Sequence, residues 1–338
     1  MAFKRRKTSV TFPLEGVDVV LADLDGVVYT GARAIPHAVE SLNRAATQAR
    51  VGYITNNASR TDASVAEQLI HLGLSVQPSD IVTSPQAAVR LLVGLIPARA
   101  RVLVIGGEGL RAEVGRAGFA IVDSADDAPA AVIQGFSPDL GWRDLAEASI
   151  ALAGGDAGIP WVATNMDWTL PVERGIAPGN GTLVSAVHSA VGRLPVVAGK
   201  PEVAIFTEAI TRFSATRPLF IGDRLDTDIL GSNRAGIDAV LVLTGVDHAK
   251  QLIAADADSR PRYILDDLRG LHEPYPEPVV AKDGTVTVGD ALVRVVGGDV
   301  RILDGGASEL NLLRAACAAI WNSGTPLYAL DVPERLYV

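Results

Sequence analysis

Short runs of β-branched and apolar residues alternate with longer amphipathic stretches through most of this chain. The apolar runs that indicate buried strands are Val19–Ala22, Gly52–Thr55, Val102–Ile105, Ala131–Gln134, Trp161–Thr164, Leu219–Ile221 and Ala239–Leu243. Helical spacing is found in His37–Arg50, Ala63–Leu72, Pro85–Val93, Leu110–Ala117, Trp142–Ala153, Thr182–Val191, Glu202–Arg212 and Asp226–Ala235. Because strands that alternate with helices form parallel sheets, the sequence predicts an α/β fold with a Rossmann-like core.

Length and charge limit what this fold can do. At 338 residues the chain is about twice the usual domain size, so we expect two domains or one with a large insertion. A net charge of −9 argues against a nucleic-acid partner. Cys317 is the only cysteine, and no run of about 18 apolar residues is present. We therefore expect a cytoplasmic protein with no membrane partner.

The last part of the chain has a different pattern. Residues Glu273–Pro278 are rich in proline and predict a stiff linker. Alternating residues in Val286–Val296 and Val300–Leu303 predict antiparallel strands, and a helix is expected over Ser308–Trp321. A last strand is expected near Pro326–Leu330. These elements predict a small C-terminal α+β domain over residues 279–338.

Carboxylates and a hydroxyl group follow three of the predicted strands. Asp23 and Asp25 come after the first strand, Thr55 after the second, and Asp223 after Leu219–Ile221. Ligands of parallel sheets bind at the carboxyl ends of the strands, so these residues are expected at one edge. Carboxylates that share a site repel each other unless a cation joins them, and oxygen ligands beside a substrate phosphate favour Mg²⁺.

Each motif also has a plainer interpretation. The Asp23-x-Asp25-Gly26 segment could form a turn or a calcium loop, although Ala34 stands where such a loop needs its twelfth ligand, a Glu. Lys200, in the loop before Pro201, could be a solvated surface residue. Asp226 and Asp228 could serve only to cap a helix. The sequence alone leaves these alternatives open for each motif taken singly.

Taken together and in this order, the motifs at Asp23-x-Asp25, Thr55, Lys200 and Gly222-Asp223-x-x-x-x-Asp228 resemble those of the haloacid dehalogenase (HAD) superfamily of phosphotransferases. The resemblance covers about Val17 to Leu268. It implies that Asp23 is the nucleophile, that Asp25 is the general acid and base, and that Lys200 neutralises charge. It also implies that the phosphoryl group is held by Thr55 and the backbone amides of Asn56 and Asn57.

The same resemblance implies a Mg²⁺ cofactor and its ligands. The ligands would be the Asp23 side chain, the backbone carbonyl of Asp25 and the Asp223 side chain. Asp228 would support these ligands from the next layer of residues. An Asp at position 25 implies hydrolysis of a phosphoester, because that residue can protonate the leaving alkoxide and later activate water. We therefore expect a phosphatase that acts on a small phosphorylated metabolite.

The long insertion between Thr55 and Lys200 resembles the large α/β (C2-type) cap found in phosphatases of this superfamily. The implied domains are a core over residues 14–97 and 195–272 and a cap over 98–194. Among relatives the pattern resembles glycerol 3-phosphate phosphatases first and phosphoglycolate phosphatases next. The cap loop Asp167–Arg174 is expected to read the leaving group through Asp167, Trp168, Glu173 and Arg174. A homodimer formed through the cap is a further expectation.

Two other functions compete with this hypothesis. Gly107 and Gly109 follow a predicted strand and open a helix, and Asp123 ends the next strand, which imitates a dinucleotide fingerprint. An NAD-dependent oxidoreductase would use that loop. The other alternative is a sensor that binds a phosphorylated metabolite and acts through the C-terminal domain.

Overall fold

The computed structural model describes residues 10–154, 158–172 and 174–337. Its strands, in chain order, are β1 Val10–Thr11, β2 Val19–Ala22, β3 Tyr29–Thr30, β4 Arg33–Ala34, β5 Arg50–Thr55, β6 Ile81–Thr83, β7 Arg101–Ile105, β8 Ala120–Val122, β9 Ala131–Gln134, β10 Trp161–Ala163, β11 Thr169–Val172, β12 Gly175–Pro178, β13 Val196–Val197, β14 Pro218–Gly222, β15 Asp238–Val242, β16 Tyr263–Leu265, β17 Tyr275–Pro276, β18 Val279–Val280, β19 Val286–Val288, β20 Ala291–Val296 and β21 Asp299–Asp304.

The α-helices are α1 Ala38–Ala45, α2 Asp62–His71, α3 Ser84–Leu95, α4 Glu108–Arg116, α5 Trp142–Ala151, α6 Asn180–Val191, α7 Val203–Phe213, α8 Leu230–Arg234, α9 Ala249–Ile253 and α10 Glu309–Ser323. Among the described residues, none of these helices combines the length and the apolar character needed to cross a lipid bilayer. Contacts divide the chain into two compact units, Met1–Val51 with Arg217–Val338, and Gly52–Thr216.

The first unit is built on parallel strands. In it β14 lies between β2 and β15, and β16 pairs with the other side of β15. The register places Leu219 opposite Val20 and Ile221 opposite Ala22. All four residues of β2 are buried, as expected for a parallel strand with both faces covered. The parallel α/β core predicted from the sequence is confirmed.

The second unit contains its own parallel sheet, in the order β13-β10-β9-β7-β8. Its core is formed by side chains from the sheet and from α5 and α6, among them Leu103, Val132, Trp161 and Val184. The strands β11 and β12 form an antiparallel hairpin beside this sheet, which periodicity did not reveal. The strands and helices predicted between the Thr55 and Lys200 motifs are therefore present.

The prediction of a stiff linker at Glu273–Pro278 is wrong. Tyr275 is buried, and β17 pairs with β1 so that Thr11 lies opposite Tyr275. Beyond it, apolar residues of β19, β20 and α10 share one hydrophobic cluster with residues of β15 and α9. The boundaries 14–97 with 195–272, 98–194 and 279–338 stay predictions, and the contacts place the tail in the first unit.

The side chains of Tyr275 and Arg314 cover the edge of the parallel sheet. The Tyr275 hydroxyl accepts the Ile264 amide N–H at 3.3 Å. The buried Arg314 donates to the Ile264 carbonyl oxygen through Nε at 2.9 Å and Nη2 at 2.6 Å. Its guanidinium also lies 4.2 Å from the centre of the Tyr275 ring. An edge strand would otherwise present unpaired polar groups, so these contacts finish the sheet.

Several predicted elements have different bounds. The strand expected at Pro326–Leu330 is wrong, because Leu327–Ala329 form a 3₁₀ turn after a proline with fixed φ. The helix expected from His37 to Arg50 covers only Ala38–Ala45. It begins after His37, which adopts a left-handed conformation with φ 65°, and Arg50 already belongs to strand β5. The helix expected at Asp226–Ala235 begins with a π-helical turn over Leu225–Ile229.

Arg314 allows a test of how strongly the tail is attached to the sheet edge. The substitution Arg314→Met keeps most of the side-chain volume but leaves the Ile264 carbonyl without these buried donors. We expect the free energy of unfolding, measured with urea, to fall by about 3 kcal/mol. The control Arg301→Met, on an exposed side chain paired with Asp299, should change it by less than about 0.5 kcal/mol. Equal losses would contradict the assignment.

Candidate active site

Three buried carboxylates meet at the carboxyl ends of β2 and β14. Asp23, Asp223 and Asp228 each offer one oxygen, and these oxygens lie within 4.8 Å of one another. Asp23 follows β2 directly, and its amide N–H donates to the Ile221 carbonyl oxygen of β14 at 2.8 Å. The hydrogen bonds between the two strands therefore fix the position of the Asp23 backbone.

Close approach of the backbone makes this cluster possible. Gly26 adopts φ +81°, and a Cβ atom at that position would lie 2.2 Å from Asp223 Oδ2. A Cβ at Gly222 would lie 2.2 Å from the Asp228 Cβ. Both glycines are required because the acidic side chains occupy the space where any other residue would place its own.

Backbone amides hold Asp228 in place. Its Oδ2 accepts the amide N–H groups of Asp223 at 3.1 Å and Arg224 at 3.2 Å. The wide first turn over Leu225–Ile229 brings this side chain back toward the strand end. Asp226, two residues earlier, is exposed, and its carboxylate pairs with the Arg224 guanidinium at 2.8 Å. The plain interpretation as a surface residue at the helix start therefore suits Asp226, whereas Asp228 belongs to the cluster.

A segment that the sequence reasoning missed packs against the same cluster. Thr244 follows β15 and donates its hydroxyl to the Gly26 carbonyl oxygen at 2.7 Å. The amide N–H of Val246 donates to Asp223 Oδ2 at 2.7 Å. Asp247 Oδ2 accepts the Leu225 amide N–H at 2.6 Å, and partial burial raises the pKa of Asp247. The rule that points to strand ends would have found this segment after Ala239–Leu243.

Asp25 differs from Asp23 in its surroundings. Its side chain is exposed, whereas Asp23 is buried. Two residues apart, the two carboxylates thus have unequal access to water. That difference suits one residue to a chemical bond with a substrate and the other to proton exchange with solvent.

In the second unit, Asn56 joins three segments. Its side-chain amide donates to Asp167 Oδ1 at 3.1 Å and to the Lys200 carbonyl oxygen at 3.0 Å. Its Oδ1 accepts the Lys200 amide N–H at 2.8 Å. Gly199 permits this contact, because a Cβ there would lie 2.6 Å from Asn56 Oδ1. The structure therefore brings together the predicted residues Asn56, Asp167 and Lys200.

The backbone of this network is held by residues that the sequence did not single out. The Asn56 carbonyl oxygen accepts from Ser84 Oγ at 2.7 Å and from the Asn165 side chain at 2.8 Å. Asn165 in turn accepts the Asp167 amide N–H. Asn165 directly follows the predicted strand Trp161–Thr164, but no motif in the sequence indicates this role.

Thr55 and Asn57 form a tight turn at the end of β5. The Asn57 amide N–H donates to Thr55 Oγ1 at 3.1 Å, and Asn57 Oδ1 accepts the Ser59 amide. Thr55 is buried and keeps its hydroxyl proton to donate. The Asn57 amide, expected to face a phosphoryl group, here bonds within the turn.

The remaining predicted residues differ in exposure. Lys200 is only 4% exposed, so the interpretation as a solvated surface lysine is wrong. Trp168 is 62% exposed, and Arg174 is exposed between β11 and β12. Glu173 lies outside the described residues.

The glycine pattern at Gly107 and Gly109 has a packing explanation. A Cβ at Gly109 would lie 2.5 Å from the Arg60 carbonyl oxygen, so this residue allows α4 to meet neighbouring backbone. Asp123, the acidic residue of the imitated fingerprint, pairs with Arg111 at 2.9 Å. Close packing at Gly109 and an ion pair at Asp123 therefore account for two of the features that suggested NAD.

The donor set of the acidic cluster fits Mg²⁺. Buried carboxylates at this spacing repel one another, and a hard divalent cation with oxygen ligands removes that repulsion. Asp23 and Asp223 would be its side-chain ligands, with Asp228 beside them. The Thr244 bond to the Gly26 carbonyl fixes the turn that follows Asp25, whose backbone carbonyl is the other predicted ligand.

A parallel α/β fold with buried carboxylates at its strand ends defines a metal-binding enzyme of the phosphotransferase class. Residues 20–120 match the haloacid dehalogenase-like hydrolase family, and residues 197–271 match the HAD-hydrolase-like family. The chain is 44% identical to the D-glycerol 3-phosphate phosphatase of Mycobacterium tuberculosis over 94% of this chain and 88% of that protein. The chain belongs to the haloacid dehalogenase-like hydrolase family.

Two further comparisons agree with this assignment. Chronophin of Homo sapiens is 36% identical over 75% of this chain and 92% of its own length. The crystal structure of a glycerol phosphate phosphatase from Mycobacterium tuberculosis in complex with magnesium superposes with a TM-score of 0.85 at 41% identity, covering 96% of each chain. The likeness extends over the tail in the bacterial protein, and the family resemblance predicted from the motifs is confirmed.

Mg²⁺ should stabilise this protein because it relieves the repulsion in the acidic cluster. At about 100 times its dissociation constant, a bound ion adds about 2.7 kcal/mol to the free energy of unfolding, which should raise Tm by several degrees. The variant Asp223→Asn should lose most of this rise while its Tm in EDTA is equal to or above that of the unchanged protein. Asp226→Asn, in the same turn, should keep the full rise. An unchanged Tm on adding Mg²⁺ would contradict the site.

Proposed function

We propose that this protein is a Mg²⁺-dependent phosphatase that hydrolyses glycerol 3-phosphate through an aspartyl-phosphate intermediate. The observation that carries the proposal is the buried cluster of Asp23, Asp223 and Asp228 at the sheet edge. Mg²⁺, when bound, supplies positive charge that offsets the charge of the phosphoryl group. The M. tuberculosis relative, whose name states glycerol 3-phosphate, supports the choice of substrate.

Asp23 and Asp25 divide the chemistry between them. An Asp23 carboxylate oxygen forms a bond to phosphorus while the bond from phosphorus to the glycerol oxygen breaks, and Asp25 gives its proton to that oxygen. A water molecule then attacks the aspartyl-phosphate, Asp25 takes its proton, and phosphate leaves with Asp23 restored. The exposed position of Asp25 supports this role, because it can exchange protons with water.

The proposal assigns binding of the phosphoryl oxygens to Thr55 and Lys200. The Thr55 hydroxyl is oriented by the Asn57 amide, which leaves its proton to donate to an anion. Lys200 is buried and its backbone is fixed on both sides by Asn56, so its ammonium group would be placed with little loss of entropy on binding. In this proposal the Asn56 side chain positions Lys200, and the Asn56 backbone amide would bind a phosphoryl oxygen.

The cap loop Asp167–Arg174 would choose the leaving group. Asp167 is held by Asn56 and Asn165. Trp168 follows it before the β11–β12 hairpin, Arg174 lies in the turn of that hairpin, and both residues are exposed. Polar and charged groups of this kind suit the hydroxyls of a glycerol moiety. The carboxylate of phosphoglycolate would also meet Arg174, which makes that compound the second candidate substrate.

Association and location stay predictions. Large apolar side chains are exposed on the second unit, among them Trp142 and Ile150 on α5 and Val196 on β13. They support a homodimer through the cap. A cytoplasmic location is consistent with the single cysteine, Cys317. A sensor function, the remaining alternative, would not need the separate environments of Asp23 and Asp25.

The nucleophile can be tested by Asp23→Asn, which keeps the volume but removes the attacking carboxylate. Phosphate release from glycerol 3-phosphate should fall by about 10³-fold or more, as for catalytic groups that act as a unit. The matched control Asp226→Asn, on an exposed carboxylate outside the cluster, should stay within about 3-fold of the unchanged enzyme. More than about a tenth of the original rate in Asp23→Asn would exclude the nucleophile role.

The role of Arg174 in recognising the leaving group can be tested by the substitution Arg174→Ala. We expect kcat/KM for glycerol 3-phosphate to fall by about 10-fold or more, because a charge-assisted hydrogen bond to the leaving group is lost. A generic aryl phosphate, which offers no such group, should be hydrolysed as before. Arg143→Ala, on the exposed face of α5, serves as the control. An equal change for both substrates would mean that Arg174 does not read the leaving group.

A further inference from the structure

The loop Thr244–Asp247 contacts both acidic segments of the site. From one end, the Thr244 hydroxyl donates to the Gly26 carbonyl oxygen at 2.7 Å, which fixes the turn after Asp25. From its middle, the Val246 amide donates to Asp223 Oδ2 at 2.7 Å. The loop therefore bonds to the turn that carries the predicted backbone ligand and to a side-chain ligand directly.

Asp247 adds two bonds to the segment that follows β14. Its Oδ2 accepts the Leu225 amide N–H at 2.6 Å, and its own amide donates to the Asp223 carbonyl oxygen at 3.1 Å. Asp247 thus bonds to both neighbours of Arg224, through its side chain to Leu225 and through its backbone amide to Asp223. Rotation of the 223–225 backbone, which would swing the Asp223 carboxylate away, requires both bonds to break.

The loop can lie this close because of Gly245. A Cβ at that position would lie 1.9 Å from Asp223 Oδ2 and 2.5 Å from the Asp223 Cβ. The loop backbone therefore packs directly on the ligand-bearing residue, and no side chain stands between them. Such contact leaves Asp223 few alternative positions.

We propose that Asp247 and Thr244 are positioning residues that hold the Asp25–Gly26 turn and Asp223 at the spacing Mg²⁺ requires. This inference rests on the proposed function, because it assumes that the acidic cluster binds Mg²⁺. The ion accepts only near-octahedral geometry with short ligand distances, so small displacements of a ligand weaken its binding. Neither residue touches the substrate in this proposal; both act through Asp223 and the Gly26 turn.

The test separates the hydrogen bond of Asp247 from its charge. Asp247→Asn retains an oxygen that can accept the Leu225 amide, whereas Asp247→Ala does not. Calorimetric titration with MgCl₂ alone should show about 10-fold weaker binding for Asp247→Ala and less than about 3-fold for Asp247→Asn. Asp256→Ala, an exposed carboxylate of the same region, should bind like the unchanged protein. Phosphate release at saturating Mg²⁺ should return to within about 3-fold in every variant, because only positioning is lost.

Thr244 provides an independent pair of variants should Asp247→Ala not fold. Thr244→Val removes the hydroxyl at equal volume and should weaken Mg²⁺ binding several-fold, while Thr244→Ser restores it. The proposal is overturned if Thr244→Val and Asp247→Ala bind Mg²⁺ like the unchanged protein, or if Asp247→Asn is as weak as Asp247→Ala. If the unchanged protein itself binds no Mg²⁺, that result would instead contradict the proposed function on which the inference rests.

Discussion

Repulsion among Asp23, Asp223 and Asp228 is the constraint on which the rest of this structure depends. Their oxygens lie within 4.8 Å of one another in a buried place, where Coulomb interactions are stronger than in water. Backbone N–H groups donate hydrogen bonds to two of these carboxylates. The amides of Asp223 and Arg224 donate to Asp228, and the Val246 amide donates to Asp223. These donors orient the carboxylates without neutralising them. The charge that remains is what draws a divalent cation to the site.

The parallel sheet allows short sequence motifs to form such a cluster. Strands β2 and β14 are neighbours in register, so residues that follow each strand meet without any long side chain. Glycine then sets how close the loops can come, at Gly26 in the first loop and Gly245 in the last. Both positions lie directly against the Asp223 carboxylate. Local backbone geometry, more than side-chain length, therefore determines the spacing of the acids.

The sequence was sufficient for the parts of the fold that repeat a pattern. The α/β core and the buried strands Val19–Ala22 and Leu219–Ile221 follow from apolar runs, and the acids at their ends follow from the rule for parallel sheets. The three-residue strands β6 and β16 were not predicted, whereas β10, of the same length, was found from its apolar run. So short a strand gives little periodicity to distinguish it from a loop. Tyr275 was assigned to a linker because its neighbours are prolines, and only tertiary contacts show that it is buried. Asp247 was missed because it lies four residues after the predicted strand Ala239–Leu243, whereas the rule points to residues directly after a strand.

In the proposed mechanism, Asn56 would couple binding of the phosphoryl group to recognition of the leaving group. One side-chain amide group bonds to the backbone of Lys200 and to Asp167, the first residue of the cap loop. In that mechanism, a movement of Asp167 toward the leaving group would displace the Asn56 side chain and, with it, the backbone of Lys200. Substrates that engage the cap loop would thus affect the placement of a charge needed for phosphoryl transfer. Binding energy from the part of the substrate that does not react can in this way be used to raise turnover.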